Sequence, residues 1–219
     1  MNRFLNQIIQ GDCLDVMKDI PDKSVDLVLT DPPYGIGAGK EKPHNGWADY
    51  GINYWDEQIP TKEYFDEIMR VSKHQIIWGG NYFARYLPHS MGWLVWDKGQ
   101  RNFSLADGEL AWTSFQNALR IITVPRGRAL LDGKQHPTQK SLEVIEACIV
   151  YAERHSKEKI ETILDPFLGS GTTAVAAHNT GRFFIGIEKE PKYVEIARKR
   201  LEQAQSQQSL FGGDDLCNN

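Results

Sequence analysis

Two short apolar runs, each ending at an Asp-Pro step, constrain this chain more than any other feature. Val25–Thr30 is apolar and β-branched and runs into Asp31-Pro32-Pro33-Tyr34; residues 161–164 run into Asp165-Pro166-Phe167-Leu168-Gly169-Ser170-Gly171-Thr172-Thr173. Apolar runs of this length, bounded by turn residues, read as buried strands. A buried strand that stops at a polar turn exposing its backbone belongs to an open α/β sheet, in which ligands sit beyond the carboxyl ends of the strands. Two such turns predict a crevice shared by two ligands.

The pattern around these runs agrees. Residues 7–10 read as a strand, 14–19 as a helix start and 62–71 as a helix; 75–78, 93–96 and 110–114 read as further core strands. Leu142, Ile145, Ile149 and Ala152 give helical spacing over 138–152. A helix at 171–179, a strand at 183–187 and a long helix at 193–203, entered through Pro191, complete the order. Such alternation predicts an α/β fold with a mainly parallel, doubly wound sheet and helices on both faces. With 219 residues, 41% of them hydrophobic, the chain is long enough for one core, so residues 1–204 are expected to form one domain. Three segments fall outside the pattern. Residues 35–60, aperiodic and rich in Gly, Pro, Asn and Trp, are expected to loop over the active site. Residues 116–135 are expected to be a short irregular recognition segment, and the Gln-, Ser-, Gly- and Asp-rich residues 205–219 a disordered tail.

Composition narrows the function classes. No apolar run approaches the roughly 18 to 20 residues of a membrane span, and Met1-Asn2-Arg3 is not followed by a signal-peptide core. Cys13, Cys148 and Cys217 are scattered and lack CxxC spacing, which supports neither a disulfide framework nor a metal site. A cytoplasmic protein is expected. The net charge of -4 argues against nucleic acid as a partner, yet residues 98–140 carry seven basic and three acidic side chains, which leaves about -8 on the rest. Lys98, Arg101, Arg120, Arg126, Arg128 and Lys134 are therefore candidate DNA-phosphate contacts, the alternative being an ordinary solvated face.

The two turns suggest distinct chemistries. Gly169 and Gly171 let backbone approach a ligand, and the following helix start offers free N–H groups. A triphosphate loop of the GxxxxGK[ST] type is excluded because no Lys follows Gly171. Glu188, about 20 residues on at the next strand end, is placed to accept from ribose hydroxyls, which makes a nucleoside pocket; a plain strand-to-helix turn is the other reading. At the first turn, Pro32 and Pro33 remove two N–H donors and leave carbonyls and a carboxylate to accept. Asp31 and the Pro32 carbonyl are suited to take the two protons of a ring-conjugated amine and free its lone pair, while Tyr34 offers a stacking face. A structural Asp-Pro-Pro turn with a packed Tyr is the alternative.

With Gly11-Asp12-Cys13, Trp78-Gly79-Gly80-Asn81-Tyr82-Phe83, His136-Pro137-Thr138-Gln139-Lys140 and Gly186-Ile187-Glu188, these motifs make the chain resemble the permuted (β-type) DNA amino-methyltransferases, in which the catalytic motif precedes the S-adenosylmethionine (AdoMet) motif. The resemblance spans nearly the whole chain. It implies a Rossmann-like sheet and in-line transfer of the AdoMet methyl group to the 6-amino group of an adenine flipped out of double-stranded DNA. It also implies catalytic roles for Asp31, Pro32, Pro33 and Tyr34. Cofactor contacts are implied for Asp12, Cys13, His136, Thr138, Lys140, Asp165, Phe167, Gly169, Ser170, Gly171, Thr172 and Glu188, with Lys140 suited to an AdoMet carboxylate. Ser141 stands where the family usually has proline, a local departure. Only about 20 residues separate the aromatic strands from His136, too few for a separate reading domain, so a short or relaxed target is expected. A homodimer is a further expectation from the resemblance, and Gln207, Leu210 and Phe211 resemble a sliding-clamp docking peptide on the tail. Rival readings are a cytosine 4-amino methyltransferase, in which Ser usually replaces Asp31, a protein glutamine methyltransferase, and a non-catalytic nucleic-acid-binding module.

Overall fold

The computed structural model describes residues 1–37, 56, 58–102, 106–129 and 139–211. Eight strands form one sheet: β1 (Gln7–Gln10), β2 (Val25–Thr30), β3 (Ser72–Trp78), β4 (Trp93–Asp97), β5 (Gly108–Thr113), β6 (Arg120–Thr123), β7 (Thr162–Asp165) and β8 (Phe183–Glu188). Their spatial order is β1-β8-β7-β2-β3-β5-β4-β6. Only β5 runs against the rest, pairing antiparallel with β3 and β4. The mainly parallel, doubly wound sheet expected from the alternation is present.

Parallel neighbours require crossovers, and here helices provide them on both faces. On one face, α1 (Cys13–Met17) and α2 (Lys62–Val71) cover β1 to β3, burying Met17, Phe65, Ile68 and Val71 with Val28, Ile77 and Leu164. On the other, α4 (Leu142–His155), α5 (Thr172–Asn179) and α6 (Pro191–Phe211) bury Val144, Ile149, Ala176 and Ala197 against Leu27, Ile76 and Ile163. Adjacent residues such as Ile76 and Ile77 thus enter opposite cores, as a strand's period of two demands. In α2 the buried Phe65, Ile68 and Val71 recur every three residues, with Glu63, Asp66 and Glu67 elsewhere on the helix. In α5 every residue from Thr172 to Ala177 is buried, and their small size lets it pack close to both α4 and α6.

The topology creates the crevice. From β2 the chain moves through α2 to β3 on one side; from β7 it moves through α5 to β8 on the other side and the opposite face. The strand order therefore reverses between β2 and β7, which pair directly with Leu27 opposite Ile163 and Val28 opposite Leu164. Ligands bind at such a switch point. Asp31 follows β2 and Asp165 ends β7, so register alone brings the two Asp-Pro turns together.

Three expectations need correction or restriction. Residues 116–135 are not irregular throughout, because β6 pairs in parallel with β4 and α3 (Arg126–Ala129) follows. As an edge strand, β6 leaves Ile121 63% exposed, so it lacks the buried-strand pattern that marks the others. The last helix continues to Phe211 instead of ending near 204, since its Gln, Ser and Leu residues tolerate helix and no Gly lies between Pro191 and Gly212. Gln207, Leu210 and Phe211 are thus on helical backbone, not on the disordered arm expected of a docking peptide. Of residues 35–60, only 35–37, 56 and 58–60 are described; the Asp56 carboxylate accepts from the Gly35 N–H at 2.9 Å, and its carbonyl from the Gly37 N–H at 2.9 Å. Among the described residues, no helix is long and apolar enough to cross a membrane, and no cluster of metal-ligating side chains is found.

Candidate active site

A cavity of about 730 Å³ opens beyond the carboxyl ends of β1, β8, β7 and β2, lined by residues of both Asp-Pro turns. On the β7 side, the Asp165 carboxylate is buried and accepts from the Thr30 hydroxyl at 2.7 Å and the Phe167 N–H at 3.0 Å. Burial pushes its pKa up to about 6, against the opposing bonds from Thr173, Thr30 and Phe167. Glu188, at the end of β8, accepts the Gly169 N–H at 2.7 Å with one oxygen and the Glu190 N–H at 2.8 Å with the other; burial pushes its pKa upward. Gly169 adopts φ +54°, a conformation that favours glycine, and no heavy atom lies within 4 Å of where its Cβ would be.

The rest of the loop is braced from outside. Arg200 of α6 donates to the Ser170 carbonyl at 2.7 Å, the Ser170 hydroxyl at 3.0 Å and the Thr172 hydroxyl at 3.1 Å. Gly171 has φ +88°, and a Cβ there would lie 2.9 Å from Ala197 Cα, so the loop and α6 meet only because this residue is glycine. At the cavity's far end Asp12 caps α1 by accepting the Leu14 N–H at 3.1 Å, within 3.3 Å of the Tyr64 hydroxyl and Lys189 Nζ. Cys13 lines the cavity beside Asp12, and burial pushes its thiol far above its ordinary range, which keeps it neutral. Carboxylates at both ends, bare backbone at Gly169 and the aromatic pair Tyr64–Phe167, with centroids 5.8 Å apart, fit a nucleoside bearing a cationic amino-acid arm.

On the β2 side, Asp31 and Tyr34 meet at once: the Tyr34 hydroxyl donates to Asp31 Oδ1 at 2.5 Å. Tyr34 does not present two free faces for a base, because Tyr82 stacks on its ring at 4.8 Å. The ring also lies where a Cβ on Gly79 would be, which explains the glycine at φ +70°. Pro32 is buried and Pro33 lines the cavity. Lys140, expected against a cofactor carboxylate, lines the cavity and is engaged by protein: its Nζ donates to Asp31 Oδ2 at 2.5 Å and to the Tyr34 oxygen at 3.2 Å, and forms an ion pair with Glu109 Oε2 at 2.8 Å.

The basic candidates separate. Lys98 is largely buried, 2.6 Å from Glu109 Oε1 and over the Trp96 ring, and is not a surface phosphate contact. Arg101 is paired with Asp97 and Arg128 with Glu143, both on the surface, while Arg120 is exposed and Arg126 half-buried. Lys134, His136 and Thr138 lie outside the described residues. Glu109, Tyr64 and Arg200 are site residues that the motifs did not single out. Trp78 was visible as an aromatic next to Gly79-Gly80, and its indole N–H is buried without a hydrogen-bond partner beside the cavity.

A doubly wound sheet with this cavity at its switch point, bordered by the Asp31 and Asp165 carboxylates, is an architecture in which two ligands can share one crevice. The family model described as DNA methylase, for N6 and N4 methyltransferases, matches residues 95–199. The chain is 28% identical over 255 residues to the type II methyltransferase M.HinfI of Haemophilus influenzae, covering 93% of this chain and 70% of that one. It is 27% identical over 244 residues to M2.MboI of Moraxella bovis, covering 90% and 87%. In fold it is similar to M1.HpyAVI, solved as a complex with S-adenosylmethionine (TM-score 0.56, 23% identity, 89% and 98% covered). It is likewise similar to the cytosine-N4-specific PvuII DNA methyltransferase (TM-score 0.58, 17% identity, 94% and 93% covered). These matches support an AdoMet-dependent DNA amino-methyltransferase of the kind that acts on adenine N6 or cytosine N4.

Proposed function

We propose that the chain methylates the 6-amino group of adenine in double-stranded DNA, with the base flipped out of the helix into the corner made by Asp31 and Tyr34. AdoMet supplies an electrophilic methyl group; the chain's residues hold the two reactants in line. Glu188 and Asp12 are placed to take hydroxyl and amino donors of the nucleoside, and Gly169 with Asp165 borders the amino-acid arm. Asp31 accepts one N–H of the exocyclic amine and the Pro32 carbonyl the other, localising the lone pair on nitrogen. Burial raises the Asp31 pKa, which also suits it to take up the proton the product nitrogen must lose. The observation that carries this reading is a carboxylate, not a hydroxyl, at residue 31, at the mouth where both ligands meet.

Asp31→Ala is the direct test. It is expected to bind AdoMet with unchanged affinity by calorimetry while methyl transfer falls at least ~100-fold, the scale of a lost charge-assisted hydrogen bond and proton acceptor. A variant that unfolds would return Asp31 to a structural turn. The short span before residue 136 supports a short or relaxed target, read by methylome sequencing after expression in a methylation-free host; a unique motif of six or more bases overturns it.

A further inference from the structure

The corner beside Asp31 holds more charge than amine binding requires. Four ionic groups alternate in sign: Asp31 after β2, Lys140 ahead of α4, Glu109 on β5 and Lys98 after β4. Lys140 is 6% exposed and Lys98 14%, and the rings of Tyr34 and Trp78 close over the Lys140 ammonium at 5.5 Å each. Buried ion pairs add little to stability compared with apolar packing, because desolvation offsets their attraction. Stability alone therefore gives no reason for three ion pairs in series here.

We propose that Lys140 and Glu109 are positioning residues for methyl transfer, which fix the charge and aim of Asp31 without touching base or cofactor. This rests on the reading of Asp31 as the amine acceptor. The groups facing Asp31 are Tyr34 from its own segment, Lys140, Glu109 from β5 and Asp165 from β7, with Lys98 acting through Glu109. Among the described residues, Lys140 is the cation in direct contact with Asp31. Without it, Asp31 faces two carboxylates in a buried corner and takes up a proton, and a protonated Asp31 no longer accepts through both oxygens. Glu109 in turn pairs with Lys140 at 2.8 Å, and Lys98 with Glu109 at 2.6 Å. Burial opposes the charge on Lys140, but Asp31 and Glu109 outweigh it and keep its pKa well above the ordinary lysine value; Lys140 and Lys98 outweigh burial at Glu109 and hold it at about 2. Neither group gives up or takes a proton during turnover, as positioning requires.

The two residues act on Asp31 with opposite sign, and this separates an electrostatic role from mere packing. The experiment is the pH profile of kcat, at saturating AdoMet and duplex DNA, for the intact protein, Lys140→Gln and Glu109→Gln. Lys140→Gln is expected to move the acid limb up by ~1 pH unit or more and to lower kcat at pH 7 at least ~10-fold. Glu109→Gln removes an anion and is expected to move the limb down. The Kd for AdoMet should stay within ~3-fold in both. Lys140→Arg, which keeps the charge, should leave the limb in place. Limbs that move together or not at all overturn the proposal, as does a Lys140→Gln variant that keeps kcat and loses AdoMet affinity, which would make Lys140 a cofactor ligand. If Lys140→Gln does not fold, the direction of the Glu109→Gln shift decides alone. A parent protein that transfers no methyl to DNA fails the underlying reading before any variant is compared.

Discussion

The Thr30 hydroxyl donates to Asp165 Oδ1 at 2.7 Å, across 135 residues of sequence. Thr30 ends β2 and Asp165 ends β7, so this bond ties the two Asp-Pro turns together. Both partners are buried, and removal of the hydroxyl leaves the carboxylate short of one donor at a cost of about 1 to 3 kcal/mol. Thr30→Val is accordingly expected to lower Tm and to weaken AdoMet binding by ~10-fold, both read from a thermal-shift titration with AdoMet. An unchanged Tm would show that Asp165 finds another donor.

Asp165 also predicts a pH dependence. Its pKa is raised from 3.8 to about 6, so between those values the folded chain binds more protons than the unfolded one. Stability from this group is therefore greatest below about pH 4 and declines as pH rises toward 6, by about 3 kcal/mol in all. Asp165→Asn removes the titration. It should match the parent's Tm near pH 4 and exceed it by several degrees at pH 7.5, while losing AdoMet affinity.

Gly171 and Gly181 share positive φ but not surroundings. A Cβ on Gly171 (φ +88°) would lie 2.8 Å from Ala197 Cβ, whereas nothing lies within 4 Å of one on Gly181 (φ +71°). Gly181→Ala should cost about 1 kcal/mol, the backbone penalty alone. Gly171→Ala adds overpacking and should cost about 2 to 4 kcal/mol in urea unfolding. Equal losses would show that α6 yields freely.

Arg200 is not among the described residues that line the cavity, and it braces the lining residues Ser170 and Thr172. Arg200→Ala should therefore raise the KM for AdoMet roughly 10-fold with kcat nearly unchanged, since it loosens binding and not the Asp31 corner. A fall in kcat at constant KM would contradict that.

Most elements were readable because their signals are local. Val25–Thr30 and Lys62–Val71 carry their period within one turn of chain, and the structure places both at the expected bounds. β6 was missed because an edge strand with Ile121 exposed carries no buried pattern, and the end of α6 because its Gln- and Ser-rich composition also suits a disordered tail. The meeting of Asp165, Gly169 and Glu188 at one cavity was legible, because their spacing reflects one strand-turn-helix unit and its neighbour. Lys140 and Glu109 were not, since their meeting depends on β5 being reversed beside β3, a pairing no short window encodes.

The most direct test of the central claim is methyl transfer from tritiated AdoMet to unmethylated duplex DNA, followed by digestion and separation of nucleosides. Label in 6-methyladenine is the predicted result, and it should vanish with Asp31→Ala. Label in 4-methylcytosine would contradict the base assignment while keeping the amine chemistry; protein that binds AdoMet yet labels no DNA would contradict the account as a whole.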